Sequence, residues 1–216
     1  MTGTPRILEA TDISEDTIGH FCASAEPDEY IGLAGAYGGC RKLEWLALRH
    51  SSDQLILGVP SSSTFEGGKK KGSCRTSPAV CFERGFAQAR TTSKFIAFDA
   101  DRLAAGLYSQ CGVRLSSCIH VQSIITEEEE DLDSLSVISR LDYPKVPGQG
   151  GYNWARHNQM FDDRSKSDVR IEGLQFRSWA AMMLQHEYPE DIKATPAINS
   201  YKLSREVRLE CYVAPK

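Results

Sequence analysis

Residues 77–99 read SPAVCFERGFAQARTTSKFIAFD, a helix signal followed at once by a strand signal. Ser77 supplies an N-cap oxygen, and Pro78 suits the first helical turn, where its missing N–H has no intrahelical partner to lose. A helix is therefore expected to run to Arg90. Lys94–Asp99 (KFIAFD) is a short apolar run that suits a buried strand, and Asp99 can cap a further short helix through Tyr108. Leu55–Val59 (LILGV), ended by Pro60, reads as a strand before this unit, and Ser117–Ile125 reads as one after it. Strand and helix thus alternate between residues 54 and 125, the pattern of a βαβ-type core.

Working outward, Ser14 caps a helix that carries Glu15 and Asp16 in its first turn and ends at Pro27. Ile31–Gly39 (IGLAGAYGG) is rich in small residues and glycine and reads as a turn-laden entry to the next helix. That helix is expected over Cys40–His50, where Leu43, Leu46 and Ala47 share one face. In the second half, Glu127–Arg140 reads as an acidic helix, Val169–Phe176 as a strand, Ser178–His186 as a helix and Glu206–Val213 as a strand. The expected fold class is α+β (mixed α/β), a central sheet of about five or more strands with flanking helices. It forms a single domain over residues 1–216, with a long loop or internal boundary at 142–153, where proline and glycine punctuate the chain.

Apolar residues make up 41% of the 216 and charged residues 25%, enough for a core that needs no staples. The net charge of -4 gives no general attraction to nucleic acid or anionic membrane, although a local basic patch remains open. No apolar run approaches the ~20 residues of a membrane span, and Met1–Ala10 lacks the apolar centre of a secretory signal. A cytoplasmic setting with no membrane partner is the expectation. Seven cysteines, an odd count, argue against a disulfide framework. Cys74/Cys81 and Cys111/Cys118 share a C-x6-C spacing with His120 nearby. That spacing is wider than the usual zinc knuckle, and the same thiols serve equally as small buried hydrophobes.

Three places can carry chemistry. In Gly67–Gly72 (GGKKKG), Lys69, Lys70 and Lys71 sit between glycines that let backbone N–H groups approach a phosphate, although the P-loop spacing is absent. The loop suits a polyphosphate, a nucleic-acid backbone or simply a solvated turn. Asp99 and Asp101 follow an apolar strand as a D-x-D pair, which can hold Mn2+ or Mg2+ against a diphosphate. The pair looks like that of nucleotide-sugar glycosyltransferases, and Asp99 as a plain helix cap is the other reading. In Trp154–Asp163, His157 has Asp162 and Asp163 as candidate orienting carboxylates for general-base work.

A further place is Arg75-Thr76-Ser77 opening a helix, followed by the strand KFIAFD and, late in the chain, SREVRL around Glu206. In that order these pieces resemble ADP-ribosyltransferases. The resemblance covers about a quarter of the chain and implies an NAD donor. It also implies Glu206 as the catalytic carboxylate at the nicotinamide ribose, Thr76 and Ser77 shaping the donor pocket, and Arg75 on its phosphates. Ser204 stands where one branch of the family has a second glutamate.

The leading expectation is a transferase with a nucleotide-type donor, NAD-consuming, and a protein or nucleic-acid acceptor. The alternatives are a metal-dependent glycosyltransferase and a non-catalytic nucleic-acid-binding or partner subunit. For nucleic acid, Lys69–Lys71, Arg75, Arg84 and Arg90 would form a local basic face.

Overall fold

The computed structural model describes residues 5–38, 42–60, 77–89, 93–115, 117–124, 159–161 and 167–197. Six strands build one mixed sheet: β1 (Arg6–Leu8), β2 (Tyr30–Tyr37), β3 (Leu43–Arg49), β4 (Gln54–Gly58), β5 (Lys94–Ala97) and β6 (Cys118–His120). Their order across the sheet is β1-β4-β3-β2-β5-β6. β3 is antiparallel to β2 and β4, while β1–β4, β2–β5 and β5–β6 pair in parallel. Every strand except β3 therefore ends on the same edge of the sheet.

Helices α1 (Glu15–Ala23), α2 (Pro78–Ala89) and α3 (Ala100–Cys111) cover one face. Their Ile18, Phe21, Phe82, Phe86, Leu103 and Leu107 form one buried cluster with Ile31, Leu33, Leu46, Leu48, Leu55, Leu57 and Phe95 of the strands. The intervening strand residues point the other way, because successive side chains alternate across a sheet. There Ala34, Ala36, Ala47, Ile56, Ile96 and Phe98 meet the long helix α4 (Ser167–Glu187) and the short α5 (Pro189–Ala194).

The mixed α/β class and the multi-stranded central sheet expected from the sequence are present. So are the elements predicted at 77–90, 94–99 and 55–59 and the helix after Ser14, whose backbone N–H donates to Thr17 Oγ1 at 3.0 Å.

Two strands were misread as the entry to a helix and the helix itself. The central strand β2 (Tyr30–Tyr37) occupies the stretch expected to lead into a helix, and β3 (Leu43–Arg49) lies where that helix was expected. β2 is buried on both faces, so it shows no apolar–polar alternation but an alternation of large and small residues. Ile31, Leu33 and Tyr37 fill the α1–α3 side, while Gly32, Ala34 and Ala36 are small because α4 lies close. A Cβ on Gly32 would stand 1.9 Å from the Ser178 carbonyl oxygen. The strand expected at Val169–Phe176 is likewise part of one helix, α4, in which Gly173 admits the Met160 carbonyl. The expected strand over Ser117–Ile125 is shorter, ending at His120 before a single 3-10 turn. The elements expected at 127–140 and 206–213, and the boundary at 142–153, lie outside the described residues.

Candidate functional site

In an open sheet of this kind, ligands bind beyond the carboxyl ends of parallel strands, where successive connections diverge. Here the chain leaves β2 toward β3 and leaves β5 toward β6, so the divergence falls between β2 and β5. Tyr37 ends β2, and Phe98 and Asp99 follow β5.

Asp99 adopts a left-handed backbone conformation (φ 47°), uncommon for a residue with a side chain but best tolerated by Asp and Asn. Gln122, just beyond β6, holds it at two points. The Gln122 Nε2 donates to Asp99 Oδ1 at 3.0 Å, and the Asp99 backbone N–H donates to Gln122 Oε1 at 3.3 Å. Its carboxylate makes no cap bond to α3, so the expected capping role is corrected: the residue before the helix is Asp99, but its side chain is turned to Gln122. Asp101 is exposed in the first turn of α3. Burial pushes the Cys118 thiol up, and the Asp101 charge adds to that.

Around the same edge, the Arg102 guanidinium lies 3.6 Å from the centre of the Tyr37 ring, a close cation–π contact. Arg170, near the start of α4, pairs with Glu44 at 2.9 Å, and the Glu44 carboxylate folds over Gly38 in the β2–β3 connection. His120 Nε2, at the end of β6, is buried without a hydrogen-bond partner. Of the residues at this edge, only the aspartates and His120 stood out in the sequence. Arg102 and Glu44 carry no motif, and each finds its partner, Tyr37 or Arg170, only through the tertiary arrangement.

The remaining sequence candidates are dispersed. Ser77 engages α2 as an ordinary cap: its Oγ accepts from the Val80 N–H at 3.4 Å and its carbonyl from the Cys81 N–H at 3.1 Å. Arg84 pairs with Glu15 at 2.6 Å on the outer surface of α1 and α2. Lys69, Lys70, Lys71, Arg75, Thr76, Arg90, His157, Asp162, Asp163 and Glu206 lie outside the described residues. Cys22, Cys81, Cys111 and Cys118 are buried free thiols, and burial raises Cys22 and Cys111 to about 12. Among the described residues no three His, Cys, Asp or Glu side chains gather as a metal site. A second concavity of about 310 Å3 sits at the opposite, amino-terminal edge of the sheet. Of its carboxylates, Asp28 pairs with Lys94 at 3.0 Å and Glu29 accepts from the Ser51 N–H.

With this geometry in view, the chain can be set beside proteins of known structure. No family model and no curated protein matches the sequence. Solved structures do. One, described as the apo form of the nuclease, superposes with a TM-score of 0.52 over 97% of this chain and 86% of its own, at 14% identity. The fold is similar to that of a nuclease. The Nibbler EXO domain of Aedes aegypti also matches at 14% identity, with a TM-score of 0.41 over 88% of this chain and 87% of its own. So does an EXD2 exonuclease domain soaked in Mg and GMP, with a TM-score of 0.39 over 98% of this chain and 97% of its own.

This likeness corrects the ADP-ribosyltransferase resemblance, and with it the transferase activity and the NAD donor; Glu206 lies outside the described residues. It equally displaces the nucleotide-sugar glycosyltransferase reading of Asp99 and Asp101. The three pieces that carried the resemblance, a capped helix, a buried strand and a later charged strand, recur wherever helices pack on a sheet. The features that separate one such fold from another here are β2 and β3, which the sequence reading had assigned to a helix and its entry. No described helix is long and apolar enough to cross a membrane.

Proposed function

We propose that this chain is a nucleic-acid-binding domain built on a nuclease-like fold, holding its ligand at the carboxyl ends of β2, β5 and β6. The observation that supports it most is where the chain's most basic run is anchored. β4 ends at this edge at Gly58, and α2 descends from it, because α2 leads into β5, which starts at the opposite edge. Both described ends of the segment carrying Lys69, Lys70, Lys71 and Arg75 therefore lie toward the edge of the sheet that also carries Arg102 over Tyr37. Ammonium groups and a stacked guanidinium at one edge suit a sugar–phosphate chain, with phosphate contacts supplying most of the affinity.

Fold alone does not fix function, so the reading is tested on binding. Fluorescence anisotropy with labelled DNA and RNA oligonucleotides should show affinity that falls as salt rises. Replacing Lys69, Lys70 and Lys71 together by Ala should weaken binding. On a single strand it should also lower the slope of log affinity against log salt by about 2, since each phosphate contact contributes roughly 0.7. Oligonucleotides that bind with no salt dependence, or not at all, would sink the proposal.

A further inference from the structure

Resting on that reading, we infer that the chain holds nucleic acid without a divalent-metal hydrolytic centre between β2 and α4. An EXD2 exonuclease domain of similar fold has been soaked in Mg and GMP and another in Mn and GMP, so the group to be tested for fit is a hard divalent cation. Such an ion needs several oxygen ligands, carboxylates above all. Hydrolysis by a metal pair needs those ligands open to the phosphodiester.

The described residues do not fit. The row that β2 turns toward α4 at the centre of the sheet is Gly32, Ala34 and Ala36, and none of the three offers a side-chain oxygen. Ala34 is 2% exposed and Ala36 fully buried, sealed with Ala47, Ile56 and Leu174 and packed by Trp45 and Ile171. The helix backbone closes the lower part of the row: a Cβ on Gly32 would stand 1.9 Å from the Ser178 carbonyl oxygen and 2.9 Å from the Met182 nitrogen. There is no space in that seam for an ion with its waters.

The carboxylates described nearby do not converge on the seam either. Glu44 is paired with Arg170, Asp99 is bound by Gln122, and Asp101 is exposed in the first turn of α3; among the described residues no three His, Cys, Asp or Glu side chains gather. The edge also presents Arg102 over Tyr37, which serves binding without needing a cation.

The test uses the full chain and a labelled single-stranded oligonucleotide in EDTA, Mg2+ and Mn2+ at matched ionic strength. Anisotropy reads binding, a denaturing gel reads strand length, and a Mn2+ titration followed by electron paramagnetic resonance reads the ion alone. The expected result is affinity equal within about twofold in all three buffers, an intact strand and no saturable Mn2+ site. Strand shortening that EDTA stops, and that falls in parallel with binding in the Lys69→Ala, Lys70→Ala, Lys71→Ala variant, would overturn the inference and leave the binding reading standing. Binding that appears only with metal, or saturable Mn2+ uptake lost in Asp99→Asn or Asp101→Asn, would do the same. Absence of binding in every buffer defeats both.

Discussion

Asp99 and Gln122 hold each other through two reciprocal hydrogen bonds across the carboxyl ends of β5 and β6. The clamp keeps a left-handed aspartate in place and ties the strand end to the turn that follows β6. Gln122 is 8% exposed while Asp99 is exposed, so removing the amide loses both hydrogen bonds and leaves the Asp99 groups to water. Gln122→Ala should cost about 1–3 kcal/mol. For a domain of this size that lowers the melting temperature by several degrees. Asp99→Asn should be close to neutral in the same calorimetric scan, because Asn tolerates the backbone conformation and still offers Oδ1 to Gln122. A large loss in Asp99→Asn would mean that the negative charge itself is needed there.

Gly32→Ala tests how closely α4 is seated on the sheet. The added methyl would meet the Ser178 carbonyl, and backbone on both sides leaves little freedom to yield. Overpacking of this kind costs typically 1–3 kcal/mol, and hydrogen exchange should rise in α4 more than in α1–α3. A variant as stable as the parent, with α4 equally protected, would show that helix and sheet can slide apart at no cost.

The same contact explains what the sequence conceals. The expected elements at 55–59, 77–90 and 94–99 could be read because capping residues, proline and compact apolar runs are local signals. β2 could not, because the partner that demands Gly32, Ala34 and Ala36 is a helix roughly 145 residues further on, and local reading takes small residues for a turn. β3 presents Leu43, Leu46 and Ala47 at helical spacing, while the tertiary structure uses Leu46 and Leu48 on one face and Ala47 on the other. At the candidate site the aspartates stood out as a motif. Gln122, Arg102 and Glu44 acquire their roles only from strand order, which no short window records.

The buried thiols give a chemical check on the paired C-x6-C spacing. Cys22 and Cys111 are raised to about 12 by burial, and Cys81 and Cys118 are raised as well. Since the thiolate is the reactive form, native protein at pH 8 should leave all four unmodified by iodoacetamide, and denatured protein should expose them. Mass spectrometry of the digested chain reads each site. Rapid native labelling of Cys111 or Cys118 would show that this pair is open to solvent.

Arg84 separates surface charge from ligand contact. Its pair with Glu15 is largely solvated, with side chains 61% and 39% exposed, and such pairs are worth about 0–1 kcal/mol. It lies on α2 against α1, away from the strand ends. Arg84→Ala should therefore change stability by less than about 1 kcal/mol and leave oligonucleotide affinity within about twofold. An affinity loss matching that of the triple lysine variant would relocate the binding face to the outer surface of α1 and α2.

His50 makes the fold sensitive to acid. It is 1% exposed at the end of β3, with Nε2 3.1 Å from Ser24 Oγ, Nδ1 3.1 Å from Ser52 Oγ and the Phe21 ring alongside at 4.6 Å. Burial lowers its pKa below the ordinary 6.5, opposed in part by the charges of Glu29 and Asp53 and reinforced by Arg49. A histidine with a depressed folded pKa binds its proton more readily in the unfolded chain. Its contribution is therefore complete above pH 6.5 and declines as pH falls from there toward the folded value. Chemical denaturation from pH 8 to 5 should show that decline. His50→Gln, which keeps hydrogen-bonding groups without titrating, should flatten the part of the curve just below pH 6.5. An unchanged slope in His50→Gln would assign the acid sensitivity to other groups.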